Sequence, residues 1–257
     1  MNRIKNLFKV KKKNILSVFI TAGFPELNDT VFIIDTLEKS GVDMIEIGIP
    51  FSDPVADGPA IQESSAVALQ NGMSIKLLLR QLKDIRLSIK LPIVLMGYIN
   101  PVIQYGLDQF CKDAAACGVD GMIIPDLPLE IYLKEWKLIT DQYGLKVIFL
   151  LTQETSEARI KKIDEASDAF MYMVTSAGTT GGGIGGNVEQ IKYFERINKM
   201  SFKNPVLAGF GISNKADLQL ISGYASGAIV GSHFIRAIAM EGDLKKNINT
   251  CIQKLLF

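Results

Sequence analysis

The chain has 257 residues, 48% of them hydrophobic, and its 28 basic side chains stand against 27 acidic ones for a formal charge of +1. So even a balance offers no electrostatic attraction to nucleic acid or an anionic membrane, neither of which is an expected partner, and a small polar ligand must be held by local groups. Three cysteines, Cys111, Cys117 and Cys251, have no metal-ligand spacing and leave an odd thiol, which fits a reducing, cytoplasmic setting.

From the N-terminus, Lys11, Lys12 and Lys13 read as a solvated face, and the apolar segment behind them is too short for a signal or membrane helix. Short β-branched runs then recur at 16–21, 43–49, 93–98, 121–124, 146–151, 169–175, 206–208 and 227–230, each followed by a loop and a helical pattern. Helix faces show in Val31, Ile34 and Leu37, and in Ile75, Leu78, Leu79, Leu82 and Ile85, at three- and four-residue spacing. Eight βα repeats predict a single (β/α)8 TIM barrel over residues 1–257, a common length for one such domain. An open doubly wound sheet would carry a Gly-x-Gly-x-x-Gly turn after its first strand, where this chain has Thr21-Ala22-Gly23-Phe24-Pro25. Asn100-Pro101 is expected in the loop after the third strand.

A barrel places its chemistry at the C-terminal ends of its strands. Side chains alternate along the second strand, so Ile45, Ile47 and Ile49 suit the helix layer while Met44, Glu46 and Gly48 face inward. An enclosed carboxyl between apolar walls has a raised pKa and suits acid–base work near neutral pH. The structural alternative for Glu46 is pairing with a buried lysine or backbone donors. Asp57, in the next loop, can face the same cavity or merely cap the helix that opens at Gly58-Pro59. Glycines after the sixth, seventh and eighth strands suggest a phosphate cradle, and the glycine-rich segment 176–190 reads as a lid. The lone His233 reads as structural, and a chain with no lysine on its sixth strand is a poor Schiff-base aldolase. A magnesium site from Glu46, Asp53 and Asp57 would need substrate phosphate as a further ligand, and no metal is expected.

The segment Glu46-x-Gly-x-Pro-Phe-Ser-Asp-Pro-x-Ala-Asp-Gly-Pro closely resembles the signature of the tryptophan synthase alpha subunit family. Support runs along the chain in Phe19-Ile20-Thr21-Ala22-Gly23, Met96-Gly97-Tyr98-Ile99-Asn100-Pro101, Pro125-Asp126-Leu127-Pro128, Gly209-Phe210-Gly211-Ile212 and Gly231-Ser232. The resemblance implies a lyase of tryptophan biosynthesis that cleaves indole-3-glycerol phosphate to indole and glyceraldehyde 3-phosphate. It implies no cofactor in this chain, and a pyridoxal-phosphate beta subunit as partner in an α2β2 complex that channels indole. By position, Glu46 matches the general acid/base, Asp57 the carboxylate that accepts the indole N–H, and Tyr172 a tyrosine near the acid. Gly181, Gly211, Gly231 and Ser232 match the phosphate cradle. Phe19, Met96, Ile123 and Phe210 match the indole pocket. Ser176, Gly178 and Thr180 fall on the lid, where Ser176 replaces the family's usual arginine, a change expected to make closure slower. Ser52, Asp53, Pro54, Asn100, Pro101 and Asp126 match the surface that meets the beta subunit.

Overall fold

A computed structural model describes residues 2–175, 188–209 and 211–256. Eight parallel strands, β1 (Ile15–Thr21), β2 (Met44–Gly48), β3 (Ile93–Met96), β4 (Gly121–Ile123), β5 (Lys146–Leu151), β6 (Met171–Val174), β7 (Val206–Gly209) and β8 (Gly227–Val230), pair in chain order. β8 returns to β1, from Ile15 opposite Gly227 to Val18 opposite Val230, and closes the barrel. All seven residues of β1 and all five of β2 are buried, because the strands are covered by the barrel interior on one face and by helices on the other.

The outer layer runs through α1 (Arg3–Val10), α2 (Asp29–Lys39), α3 (Pro59–Gln70), α4 (Ile75–Leu82), α5 (Ile99–Tyr105), α6 (Leu107–Ala116), α7 (Leu129–Ile131), α8 (Lys137–Gln142), α9 (Glu157–Ala166), α10 (Val188–Lys199), α11 (Lys215–Ser222), α12 (Ser232–Ile238) and α13 (Leu244–Leu256). The expected 93–98 strand stops at Met96, because Tyr98 already turns the chain into α5. Asn100 and Pro101 accordingly lie in the first turn of a helix, not in a loop. Proline costs nothing there, since that N–H has no intrahelical partner, and the Ile99 N–H is taken up by Asp126 Oδ1 at 2.9 Å. The expected 169–175 strand is also shorter, its ladder opening with the Met171 N–H bonded to the Pro205 carbonyl. Ile85 belongs to a separate 3₁₀ turn, Ile85–Leu87, because α4 tightens at Lys83, whose N–H reaches back to Arg80.

Helix α1 covers the N-terminal end of the barrel, opposite the rim where chemistry is expected. Its capping Asn2 also donates to the Asp120 carbonyl, and the buried Asp120 carboxylate binds Arg86 at 2.9 Å, Arg3 at 3.1 Å and the Ile93 N–H at 3.0 Å. Removing one partner of a buried charge pair strands the other, so Asp120→Ala is expected to cost about 3–5 kcal/mol. A fall in urea midpoint with unchanged slope would show it, and a loss below about 1 kcal/mol would mean the cluster is solvated.

Candidate active site

Glu46 lies on β2 opposite Phe19 of β1 and Val94 of β3, and it is fully enclosed at 0% exposure. Among the described residues its one hydrogen-bond partner is the Ser17 hydroxyl, which donates to Oε1 at 3.1 Å, while Oε2 has none. None of the described lysines or backbone donors neutralises it. Burial pushes the carboxyl up to about 8, with the Ser17 hydrogen bond working in the other direction.

Asp57 sits on the loop between β2 and α3. Its side chain does not cap α3, whose N-cap is Gly58 without a side-chain bond. The Tyr98 hydroxyl instead donates to Asp57 Oδ2 at 2.9 Å and accepts the Ala56 N–H at 2.9 Å. Burial raises the Asp57 carboxyl above the usual aspartate value, and the Tyr98 bond opposes it. The loop is held from beneath as well, by Gln62 on the Asp57 carbonyl and Ser65 on the Phe51 N–H. The two carboxyls therefore occupy different surroundings, one sealed behind a single hydroxyl and the other half-buried beneath a phenol.

Two glycines make room for the site's rings. A Cβ at Gly48 would clash with the ring edge of Phe19, and one at Gly209 would overlap the Tyr172 hydroxyl. Gly209, at the end of β7, thus serves to seat Tyr172. That tyrosine is buried on β6, and its hydroxyl is raised well above the ordinary value by burial first and then by the neighbouring Glu46 and Asp57 carboxyl groups.

At the barrel mouth a cavity is lined by Phe19, Asp57, Ile61, Met96, Tyr172, Gly231 and Ser232. Six of these are residues the sequence points to; Ile61 is not, and neither is Tyr98, which with Phe51 and Pro54 walls the adjoining hollow over Asp57. Glu46 and Ile123 do not line the cavity. Ile123 is buried on β4 directly opposite Met96. Gly231 precedes α12, which has no side-chain cap on its first turn, and Gly211 takes a positive φ of 73° just beyond β7. His233 beside them is held below its ordinary value by burial and by Arg236. Ser176, Gly178, Thr180, Gly181 and Phe210 lie outside the described residues.

On the outer side of the same rim Ser52, Asp53, Asn100 and Asp126 are exposed, with Pro54 and Pro101 half-buried beside them. Val55 is 86% exposed and Ile103 56%, which puts two uncovered apolar side chains on this face. A wider cleft opens between the loops after β4 and β5, but its carboxylates, Asp126 and Glu154, face solvent. Among the described residues no three His, Cys, Asp or Glu side chains gather as a metal site, and no helix is long and apolar enough to cross a membrane.

The family model for the tryptophan synthase alpha chain matches residues 5–256. A tryptophan synthase alpha chain of Parabacteroides distasonis is 50% identical over 255 residues, 99% of each chain. One from Flavobacterium johnsoniae is 53% identical over 246 residues, 95% of this chain and 96% of the relative. Among solved structures, the tryptophan synthase A-subunit of Pyrococcus furiosus matches with a TM-score of 0.87 at 34% identity, over 96% of this chain and 98% of that one. Aminoacrylate-bound tryptophan synthase from M. tuberculosis matches with a TM-score of 0.86 at 29% identity, over 99% and 98%. Matched over nearly its whole length in sequence and in fold, the chain belongs to the tryptophan synthase alpha chain family.

Proposed function

We propose that Glu46 and Asp57 divide the chemistry of an indole-3-glycerol-phosphate lyase, the carbon–carbon cleavage that yields indole and glyceraldehyde 3-phosphate in tryptophan biosynthesis. The observation that carries this reading is the enclosed Glu46, raised to about 8 and with Oε2 unpartnered, set behind a cavity that holds Asp57. A carboxyl with that pKa holds its proton at neutral pH and can deliver it to indole C3. The ring then carries positive charge spread to its nitrogen, and the Asp57 carboxylate, accepting the N–H, stabilises it. Glu46, now ionised, takes the proton of the hydroxyl on the carbon next to the ring. That carbon becomes the aldehyde, its bond to C3 breaks, and the electron pair returns to the indole, which leaves Glu46 protonated as it began.

Phe19 and Met96 offer apolar walls for the indole ring, and Tyr172 closes the cavity beside them. The phosphate is assigned to Gly231 and Ser232, which line the same cavity where α12 begins with uncapped N–H groups, together with Gly211. The rim of Ser52, Asp53, Pro54, Asn100, Pro101 and Asp126, with the exposed Val55 and Ile103, is the surface offered to a beta subunit. That subunit supplies the pyridoxal phosphate of an α2β2 complex and takes up the indole, while this chain works without a cofactor. Residues 1–257 act as one barrel domain in the cytoplasm, where the three unpaired cysteines stay reduced.

The test is release of indole from indole-3-glycerol phosphate by the purified chain, alone and with the beta subunit, in the presence of a chelator. Release that rises with the partner is expected. Absence of release in both arms overturns the reading.

A further inference from the structure

Ser17 is a hydroxyl buried at 0% exposure in the middle of an apolar strand. Ser17 and Phe19 share the inward face of β1. Since Phe19 is level with Glu46 and Ser17 with Met44, the serine stands one layer deeper in the barrel than the glutamate it binds. Its bond to Oε1 therefore draws the Glu46 carboxyl downward, which agrees with the absence of Glu46 from the walls of the mouth cavity. Oε1 is occupied, and Oε2 has no partner among the described residues. A carboxylic acid accepts best at its carbonyl oxygen, so a donor fixed at Oε1 leaves the acidic proton on Oε2.

We propose that Ser17 is a positioning residue for Glu46, whose hydroxyl holds Oε1 so that Oε2 is the oxygen that carries and delivers the proton. The inference rests on the reading of Glu46 as the acid of the lyase. Ser17 is not among the residues that line the cavity, so its effect falls on proton transfer and not on binding.

The other titratable groups facing this carboxyl are few. Tyr172 on β6 is close enough to couple to Glu46, and it couples to Asp57 on the loop as well. The flanking strands β1 and β3 carry no charged residue, and Lys146 of β5 is paired with Asp168 at 2.6 Å. Ser17 is thus the polar neighbour whose removal acts on Glu46 without disturbing another charge.

The experiment is pH-difference infrared spectroscopy of the whole chain, with the Glu46 carboxylic C=O band identified by its loss in Glu46→Gln. In Ser17→Ala the band is expected at higher frequency, with its titration midpoint displaced to alkaline pH by roughly one unit, because a hydrogen bond that favours the ionised form is gone. Turnover of indole-3-glycerol phosphate should fall about tenfold in kcat with KM unchanged, and Ser17→Thr, which restores the hydroxyl, should recover both. If Ser17→Ala does not fold, Ser17→Cys keeps the side chain's shape with a weaker donor and reads the same band. A band unmoved in frequency and midpoint overturns the proposal. A displaced band in a chain that never cleaves the substrate overturns the lyase reading and leaves the Ser17 contact standing.

Discussion

Glu46→Gln is expected to lower indole release from indole-3-glycerol phosphate by about 10³-fold while leaving the barrel folded, because it removes the proposed proton donor and keeps the volume. The same substitution should alter stability in a way that only a buried carboxyl explains. At pH values below 4.5 Glu46 is protonated in folded and unfolded chains alike, and its burial carries no ionisation penalty. Between 4.5 and about 8 the unfolded chain releases the proton while the folded chain keeps it, so the unfolded state binds fewer protons and stability falls as pH rises. Above that window both states are ionised and the loss, roughly 3–5 kcal/mol, is complete. Glutamine has no such titration. Urea midpoints of the two proteins compared at about pH 5 and about pH 9 should therefore diverge in favour of Glu46→Gln by several kcal/mol. Parallel curves would mean that Glu46 is ionised in the resting fold and cannot be the resting acid, and near-normal turnover would end its assignment altogether. An active site that costs stability for the sake of a proton is the expected pattern for a catalytic group in a core.

Why Glu46 is visible in the sequence and its surroundings are not follows from how each is encoded. A carboxylate between Ile45 and Ile47 breaks the pattern of its own strand, so five residues are enough to mark it. The barrel is legible for a related reason: strands covered on both faces read as short apolar runs, and eight of them in sequence leave few alternatives. Ser17 lies 29 positions from Glu46 and Tyr98 41 positions from Asp57, and nothing local distinguishes that serine or that tyrosine from packing. Their roles come from strand register and from the way the loop folds over the rim, neither of which a single sequence displays. The part Gly209 plays is hidden for the same reason, since the ring it accommodates comes from the neighbouring strand. Asn100 and Pro101 are read as loop because proline signals a break, whereas the cap that starts their helix is supplied by Asp126, from the next βα unit. The lid residues Ser176, Gly178 and Thr180 stand on sequence alone.

Asp57→Asn is expected to lower kcat by about 10²–10³-fold with little change in KM, the scale of losing one preorganised charge at a site where positive charge develops. Asparagine keeps the shape and an acceptor oxygen for the Tyr98 hydroxyl, so the loop should keep its conformation and only the charge is lost. On the proposed mechanism the Asp57 carboxylate acts when the indole nitrogen becomes cationic, which places the effect on kcat. Tyr98→Phe supplies the control. It leaves Asp57 its charge but removes the bond that holds Oδ2, along with an acceptor for the Ala56 N–H, and a loss of about tenfold is expected. If Tyr98 acts through Asp57, the two losses do not add: in an Asp57→Asn background Tyr98→Phe should cost much less than it does alone. Full additivity would give the tyrosine a role of its own in the cavity, and an Asp57→Asn enzyme with unaltered kcat would leave the ring's charge to be stabilised elsewhere. Because the Ala56 N–H ends on the same phenol oxygen, the proposed partner surface and Asp57 share one hydrogen-bonded group, and the ratio of turnover with and without the beta subunit is expected to shrink in Tyr98→Phe.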